Sequence, residues 1–228
     1  MKILALDTAL GACSVIIFDA LNDTILCSDT AVLERGHAEI LLPMVRKCME
    51  KAQISFSQLD RIAVTIGPGS YTGIRVGIAA ARAIGLAAQK PVVGVATLSA
   101  LIAPLIAFRG KGLSAAAIDA RHEHVYFQAV AHGGRPIAPA AYLSISDARR
   151  LIGAGPVMLA GSGAARLAYE CLSHGIEALL SSEPDYPNPL WVAKLAAIAD
   201  PHQALPKPLY LKAPDAVPQT RSIIARKE

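Results

Sequence analysis

The chain has 228 residues, 53% of them apolar but only 5% aromatic, with a formal net charge of +4. The apolar fraction supports a sizeable core and excludes an intrinsically disordered chain, and the length suits one large compact domain or two of about 100 residues each. The mild positive charge, with no long Lys/Arg run outside the C-terminal "RSIIARKE", makes no case for nucleic acid by itself.

Four widely spaced cysteines, Cys13, Cys27, Cys48 and Cys171, contain no CxxC pair. That excludes a zinc ribbon or thioredoxin-type site and reads as reduced thiols of a cytosolic protein. The opening "MKILALDTAL" is too short an apolar run for a signal peptide and reads as a strand over residues 3 to 7. "CSVIIFDA" and "DTILCSDT" follow at hairpin spacing. From Gly36 to about Lys51 the period becomes helical. Ile40, Leu41, Met44, Val45, Cys48 and Met49 share one side, and Glu39, Arg46 and Glu50 lie opposite. Pro43 inside this run predicts a kink or a broken first turn.

"DRIAVTIG" reads as a buried strand, followed by the turn "GPGSYTG" and a helix to about Gln89. Arg75 and Arg82 sit inside that helix, so it is not a membrane span. "KPVVGV" is a further strand and "TLSALIAPLI" a helix, which makes the first half β-β-β-α-β-α-β-α. The second half starts again with "LSAAAID", "HVYFQAVA", a turn at "HGG" and "RPIAPAAYL". A helix is predicted over 146–152, a strand at "VMLA", and helices over 164–173 and 189–199; "LPKPLYLKAPDAVP" is predicted extended. Both halves open on a strand that meets an aspartate, "LALDTA" and "AAIDAR", which reads as a degenerate duplication. The boundary is expected near residues 103–112, dividing the chain into 1–105 and 106–228.

Asp7, ending its strand before a tight hairpin, stands where backbone N–H groups can face a phosphate and a carboxylate can hold hydrated Mg²⁺; a turn aspartate in a plain hairpin is the competing reading. "GPGSYTG" follows a strand and opens a helix, a setting that attracts anions. Its spacing is GxGxxxG, however, and no Walker pattern is present. In the helix that follows, Arg75, Arg82 and Gln89 form one narrow polar stripe flanked by Ile78, Ala79 and Leu86. Gly73, Gly77, Ala80, Ala81 and Ile84 make a small-residue face. A helix this apolar must bury more than one side, either inside its own fold or against a partner. Asp119 repeats the strand-aspartate hairpin, and Gly161-Ser162-Gly163 joins a strand to a helix as a turn able to approach a nucleotide or to serve as an ordinary connection. No GxSxG elbow and no HExxH helix is present. His122 and His124 share a strand face without a third metal ligand, and His37 marks a helix start.

The order of these elements, Asp7 hairpin, Asp119 hairpin, Gly161–Gly163, resembles the order of the phosphate-one, phosphate-two and adenosine elements of the actin, sugar kinase and Hsp70 ATPase (ASKHA) superfamily. The strings "LALDTALGACSVII", "GHAEILLPMV", "GPGSYTGIRVGIAAARAIG", "AAIDARHEHVY" and the late "PLYLK" resemble the TsaB family, also called YeaZ, over nearly the whole chain. The resemblance implies an α/β ASKHA fold of two lobes, each a mixed sheet flanked by helices. It implies a cytoplasmic, non-catalytic subunit of the complex that transfers threonylcarbamoyl to the adenosine beside the tRNA anticodon. The expected partners are TsaD as heterodimer, TsaE as third component, a second copy of the chain when alone, and tRNA through the complex, with no membrane.

In TsaD the helix after the "GVN" strand bears HxxxH; the matching positions here are Thr97 and Leu101, which are not metal ligands. The phosphate elements, Asp7-Thr8-Ala9 and Asp119-Ala120-Arg121, carry side chains where active ATPases carry glycine, so the resemblance implies a vestigial nucleotide site at Asp7, Thr8, Asp119, Arg121, Gly161 and Gly163. It implies no cofactor held by this chain alone, ATP or ADP with Mg²⁺ being a matter for the complex. The expected partner surface is a bundle of residues 36–50 and 72–89. On the first helix it uses His37, Leu41, Met44, Val45 and Cys48; on the second, Arg75, Ile78, Ala79, Arg82 and Leu86. A small-molecule kinase of the same superfamily is the second reading, and a peptidase, for which no nucleophile–base pair is evident, the third.

Overall fold

The computed structural model describes residues 1–109 and 112–212, with the side chains of residues 108 and 109 left aside. The first half builds a five-stranded sheet from β1 (Lys2–Asp7), β2 (Ala12–Asp19), β3 (Thr24–Val32), β4 (Arg61–Thr65) and β5 (Val92–Val95), in the order β3-β2-β1-β4-β5. β1 to β3 form an antiparallel meander, and β4 and β5 add in parallel to β1. The helices between them are α1 (His37–Ala52) and α2 (Tyr71–Ala88), and α3 (Thr97–Arg109) leads out of the sheet. α1 runs on through Pro43, whose ring is exposed, so the first turn expected to break there is intact.

The second half repeats the plan. β6 (Leu113–Asp119), β7 (His124–Val130), β8 (Pro136–Ser144), β9 (Val157–Ala160) and β10 (Ala178–Leu180) are ordered β10-β9-β6-β7-β8, with α4 (Ile145–Ile152), α5 (Ala164–Ser173) and α6 (Pro189–Ile198). Replacing 1 by 6, 2 by 7 and so on converts one sheet order into the other, so the duplication expected from the two aspartate strands extends to every strand.

Both sheets are covered on both faces, and the strands alternate between two cores. In β1, Leu4 and Leu6 pack with residues of α1 and α2, while Ile3 and Ala5 pack with Val192, Ala193 and Ala196 of α6. In β6, Ala115 and Ala117 face α4 and α5, while Ala116 and Ile118 face Leu98, Leu101 and Leu105 of α3. A strand buried on both sides needs no polar alternation, which is why "ILAL" and "AAAI" read as continuous apolar runs. The third helix of each half thus crosses over: α3 lies on the second sheet and α6 on the first, and the two pack together. The boundary expected at residue 105 falls inside α3, and α6, expected in the second lobe, covers the sheet of the first. The short β10 and a 3-10 turn at Phe56–Gln58 are elements the pattern reading did not contain. Among the described residues, no helix is long and apolar enough to cross a membrane.

Candidate functional site

The first hairpin meets the start of α2. Asp7 ends β1 fully buried; its Oδ1 accepts from Thr65 Oγ1 at 2.5 Å and from the Ala9 N–H at 3.1 Å, and its Oδ2 has no protein partner. Burial pushes the carboxyl up to about 6, against the pull of the Thr65 hydroxyl, the Ala9 N–H and the charge of nearby His37. His37 opens α1 and its Nε2 lies 3.0 Å from the Leu10 carbonyl. Thr8 Oγ1 donates to the Gly73 carbonyl at 2.7 Å, and the Ser70 N–H donates to the Ala9 carbonyl at 2.7 Å. The glycines of "GPGSYTG" make this contact possible: a Cβ at Gly69 would stand 2.2 Å from the Ala9 carbonyl oxygen, and one at Gly73 2.1 Å from that of Thr8. The turn therefore packs on the chain's own hairpin. Ser70 caps α2 by accepting from the Gly73 N–H.

The second hairpin is open to solvent. Asp119 Oδ1 accepts from the Arg121 N–H at 3.1 Å and lies 3.4 Å from Arg166 Nη1 of α5, whose Nη2 meets Glu123 Oε1 at 2.5 Å. Arg121, His122 and Glu123 are consecutive residues with positive φ. Gly161 and Gly163 sit over β6, where a Cβ would approach the Ala117 carbonyl oxygen at 2.7 and 3.2 Å, and the Gly163 N–H donates to that carbonyl. They repeat, in the second half, the task of Gly69 and Gly73 in the first. His124 stacks on Tyr142, with ring centroids 4.7 Å apart, and no group of three metal-ligating side chains occurs among the described residues.

The Asp7 half of the expected nucleotide site does not fit Mg-ATP. A magnesium ion or triphosphate has no access to the fully buried Asp7, whose carboxylate already takes the Ala9 N–H, and the hairpin backbone is covered by the turn before α2. Among the described residues no hydrogen bond or ion pair joins the Asp7 group to the Asp119 group. Burial pushes the Cys13 thiol up to about 11 and the Cys48 thiol up to about 12, so neither of these two is an activated nucleophile.

The expected partner surface divides. Leu41, Met44, Val45 and Cys48 of α1 and Ile78 of α2 are buried in the core of their own lobe, and His37 is buried beside Leu10, so these six are not surface residues. α1 turns its apolar side inward against the sheet and α2, which is what a single amphipathic face does when a core is at hand. Arg75, Ala79, Arg82 and Leu86 are exposed, Leu86 at 83%. Grooves of about 640 and 630 Å³ flank the C-terminal half of α2, one lined by Arg82, Leu86 and Pro206, the other by Phe56, Ile84 and Ala87. At the helix start, the Arg75 guanidinium lies 3.9 Å over the Tyr71 ring, and Arg75 Nε donates to Tyr210 Oη at 3.0 Å. Tyr71 and Tyr210 were invisible as a pair in the sequence, although both lie in the strings that carried the family resemblance.

The model of the family described as "TsaD: tRNA N6-adenosine threonylcarbamoyltransferase" matches residues 31–177. The tRNA threonylcarbamoyladenosine biosynthesis protein TsaB of Escherichia coli is 37% identical over 127 residues, 56% of this chain and 54% of that one. A Pseudomonas aeruginosa protein described as similar to peptidase YEAZ superposes with a TM-score of 0.75 at 29% identity, covering 92% of this chain and 99% of the other. The ROK hexokinase of Thermus thermophilus superposes with a TM-score of 0.51 at 14% identity, a likeness of fold alone that covers 87% of this chain and 99% of the other. With its duplicated mixed sheets, its glycine turn locked onto the first hairpin and these relatives, the chain belongs to the TsaB (YeaZ) family and has the ASKHA fold.

Proposed function

We propose that the protein takes part in making threonylcarbamoyladenosine in tRNA, as the non-catalytic subunit that docks on a TsaD chain, supports it as scaffold and activator, and works in the cytoplasm with TsaE as third component. The observation that carries this reading is the exposed face of α2: an 18-residue helix with no acidic residue, presenting Arg75, Ala79, Arg82 and an almost fully exposed Leu86 between two grooves. An apolar helix face rimmed by cations is the kind of surface a partner helix covers. When the chain is alone, a second copy covers the same face.

The non-catalytic role is supported by side chains. Thr97 and Leu101 stand where the transferase pattern has histidines, and Asp7 is enclosed. A kinase would need an accessible phosphate loop, and a peptidase would need an activated nucleophile or a metal; the buried thiols and enclosed hairpin favour neither.

The test is association. Ala79→Asp and Leu86→Glu are expected to weaken binding to a TsaD chain about 100-fold in sedimentation velocity. The melting temperature of the isolated chain should stay unchanged, because both positions are exposed. Undiminished association would overturn the proposal. Ile78 is unsuited to this test, since a charge there is buried in the core and unfolds the chain.

A further inference from the structure

Beyond α6 the chain returns along the first lobe and then leaves it. The Ala204 carbonyl accepts the Gly94 N–H at 2.9 Å on the edge strand β5, and the Leu209 N–H donates to the Ile66 carbonyl at 2.8 Å. Two glycines make room for this passage. A Cβ at Gly94 would lie 2.7 Å from the Leu205 carbonyl oxygen, and one at Gly67 2.9 Å from that of Leu209. Pro206 walls the groove it shares with Arg82 and Leu86. Tyr210 then stacks on Tyr71, with ring centroids 5.5 Å apart, and accepts from Arg75. The next residue, Leu211, packs into the core of α3 and the second sheet, and Lys212 Nζ lies 5.5 Å over the Tyr142 ring on β8.

We propose that residues 204–212 form a clasp that makes the docking surface composite and ties it to the second lobe, so that a TsaD chain seated on α2 also fixes how the lobes sit. This inference rests on the docking reading above. Tyr71 and Tyr210 are both about half exposed, so a partner that covers the first turns of α2 covers Tyr210 with them. Removing water from the Arg75–Tyr71–Tyr210 group strengthens its cation–π contact and its hydrogen bond. Leu209-Tyr210-Leu211-Lys212 contains no glycine to act as a hinge, so Tyr210 carries Leu211 and Lys212 with it. The device acts by shifting a population of lobe settings, not by creating a new contact in the second lobe.

Hydrogen exchange on the full chain, alone and with a TsaD chain, tests this. Docking is expected to slow exchange about tenfold in residues 71–86, in 204–212 and in β8 of the other lobe. In Tyr210→Ala the protection of 71–86 persists and that of β8 is lost, whereas Tyr210→Phe, which keeps the stacked ring, retains both. Protection of 71–86 with 204–212 and β8 unchanged overturns the clasp and leaves the docking reading standing. So does β8 protection that survives in Tyr210→Ala. No protection of 71–86 overturns the docking reading, and the clasp with it.

Discussion

Asp7 shows how one residue type supports two opposite sites. A strand-end aspartate before a hairpin is the expected place for a metal or phosphate group, but here its carboxyl has no solvent contact and is pushed up to about 6 from an ordinary value of 3.8. The folded chain therefore holds this proton more tightly than the unfolded chain. The resulting contribution to stability is fully present below pH 3.8 and is lost as pH rises through about 6. A rise from 3.8 to about 6 corresponds to about 3 kcal/mol at most. Asn at this position keeps an oxygen for Ala9 and Thr65 and removes the charge. Urea denaturation of Asp7→Asn and the parent chain should show the variant gaining about 2–3 kcal/mol, relative to the parent, between about pH 3.5 and pH 7.5. A difference that does not change with pH would contradict the buried, proton-holding role.

α2 is the element on which the fold and the proposed function meet. Its inner side is fixed by Gly73 and Gly77, which let it approach Thr8, and its outer side is left free. Gly73→Ala separates helix propensity from packing, because the two predict opposite signs. Ala is favoured over Gly inside a helix by about 1 kcal/mol, yet its Cβ would stand 2.1 Å from the Thr8 carbonyl oxygen, a backbone atom that cannot turn aside. Packing dominates, and thermal or urea unfolding of Gly73→Ala should show a loss of about 3 kcal/mol or more. A neutral or stabilised variant would mean that α2 does not hold this register on the hairpin. The same helix shows how far periodicity reaches. It placed Arg75, Arg82 and Gln89 on one polar stripe flanked by Ile78, Ala79 and Leu86, and all of these but Ile78 are exposed; for Ile78 and the α1 residues it identified an apolar face without saying which surface covers it.

At the scale of the whole molecule, the two halves exchange their third helices. The face of the first sheet formed by Ile3, Ala5, Ile16 and Ala63 is covered by Val192, Ala193 and Ala196, from far downstream in the chain. A chain cut after α3 keeps all five strands of the first sheet but leaves that face bare, and α3 loses the sheet on which it lies. Residues 1–109 alone are therefore expected to bind a hydrophobic dye and to show no cooperative unfolding by circular dichroism. A peptide of residues 186–200 added in trans should restore part of the cooperativity. Cooperative folding of 1–109 by itself would show that the lobes are independent. The clasp of residues 204–212 extends the same principle, since it too belongs by sequence to one half and by contact to both.

Local order was legible in the chain because it depends on neighbours in sequence. The strand–aspartate repeats, the helical period of α1 and the apolar run of α2 marked nearly every element, and the quoted strings marked the family. The three-residue β10 escaped because so short an edge strand has no period of its own. The late "PLYLK" lies wholly within the clasp, while residues 213–228, including the rest of the predicted extended tail and "RSIIARKE", lie outside the described residues. What the tertiary structure decided is which side of each apolar element is inside. Asp7 became a buried carboxyl, the glycine turn a lock on the first hairpin, and Tyr71 and Tyr210 a stacked pair. Each outcome depends on contacts between residues far apart in the chain, and no local pattern records such a distance.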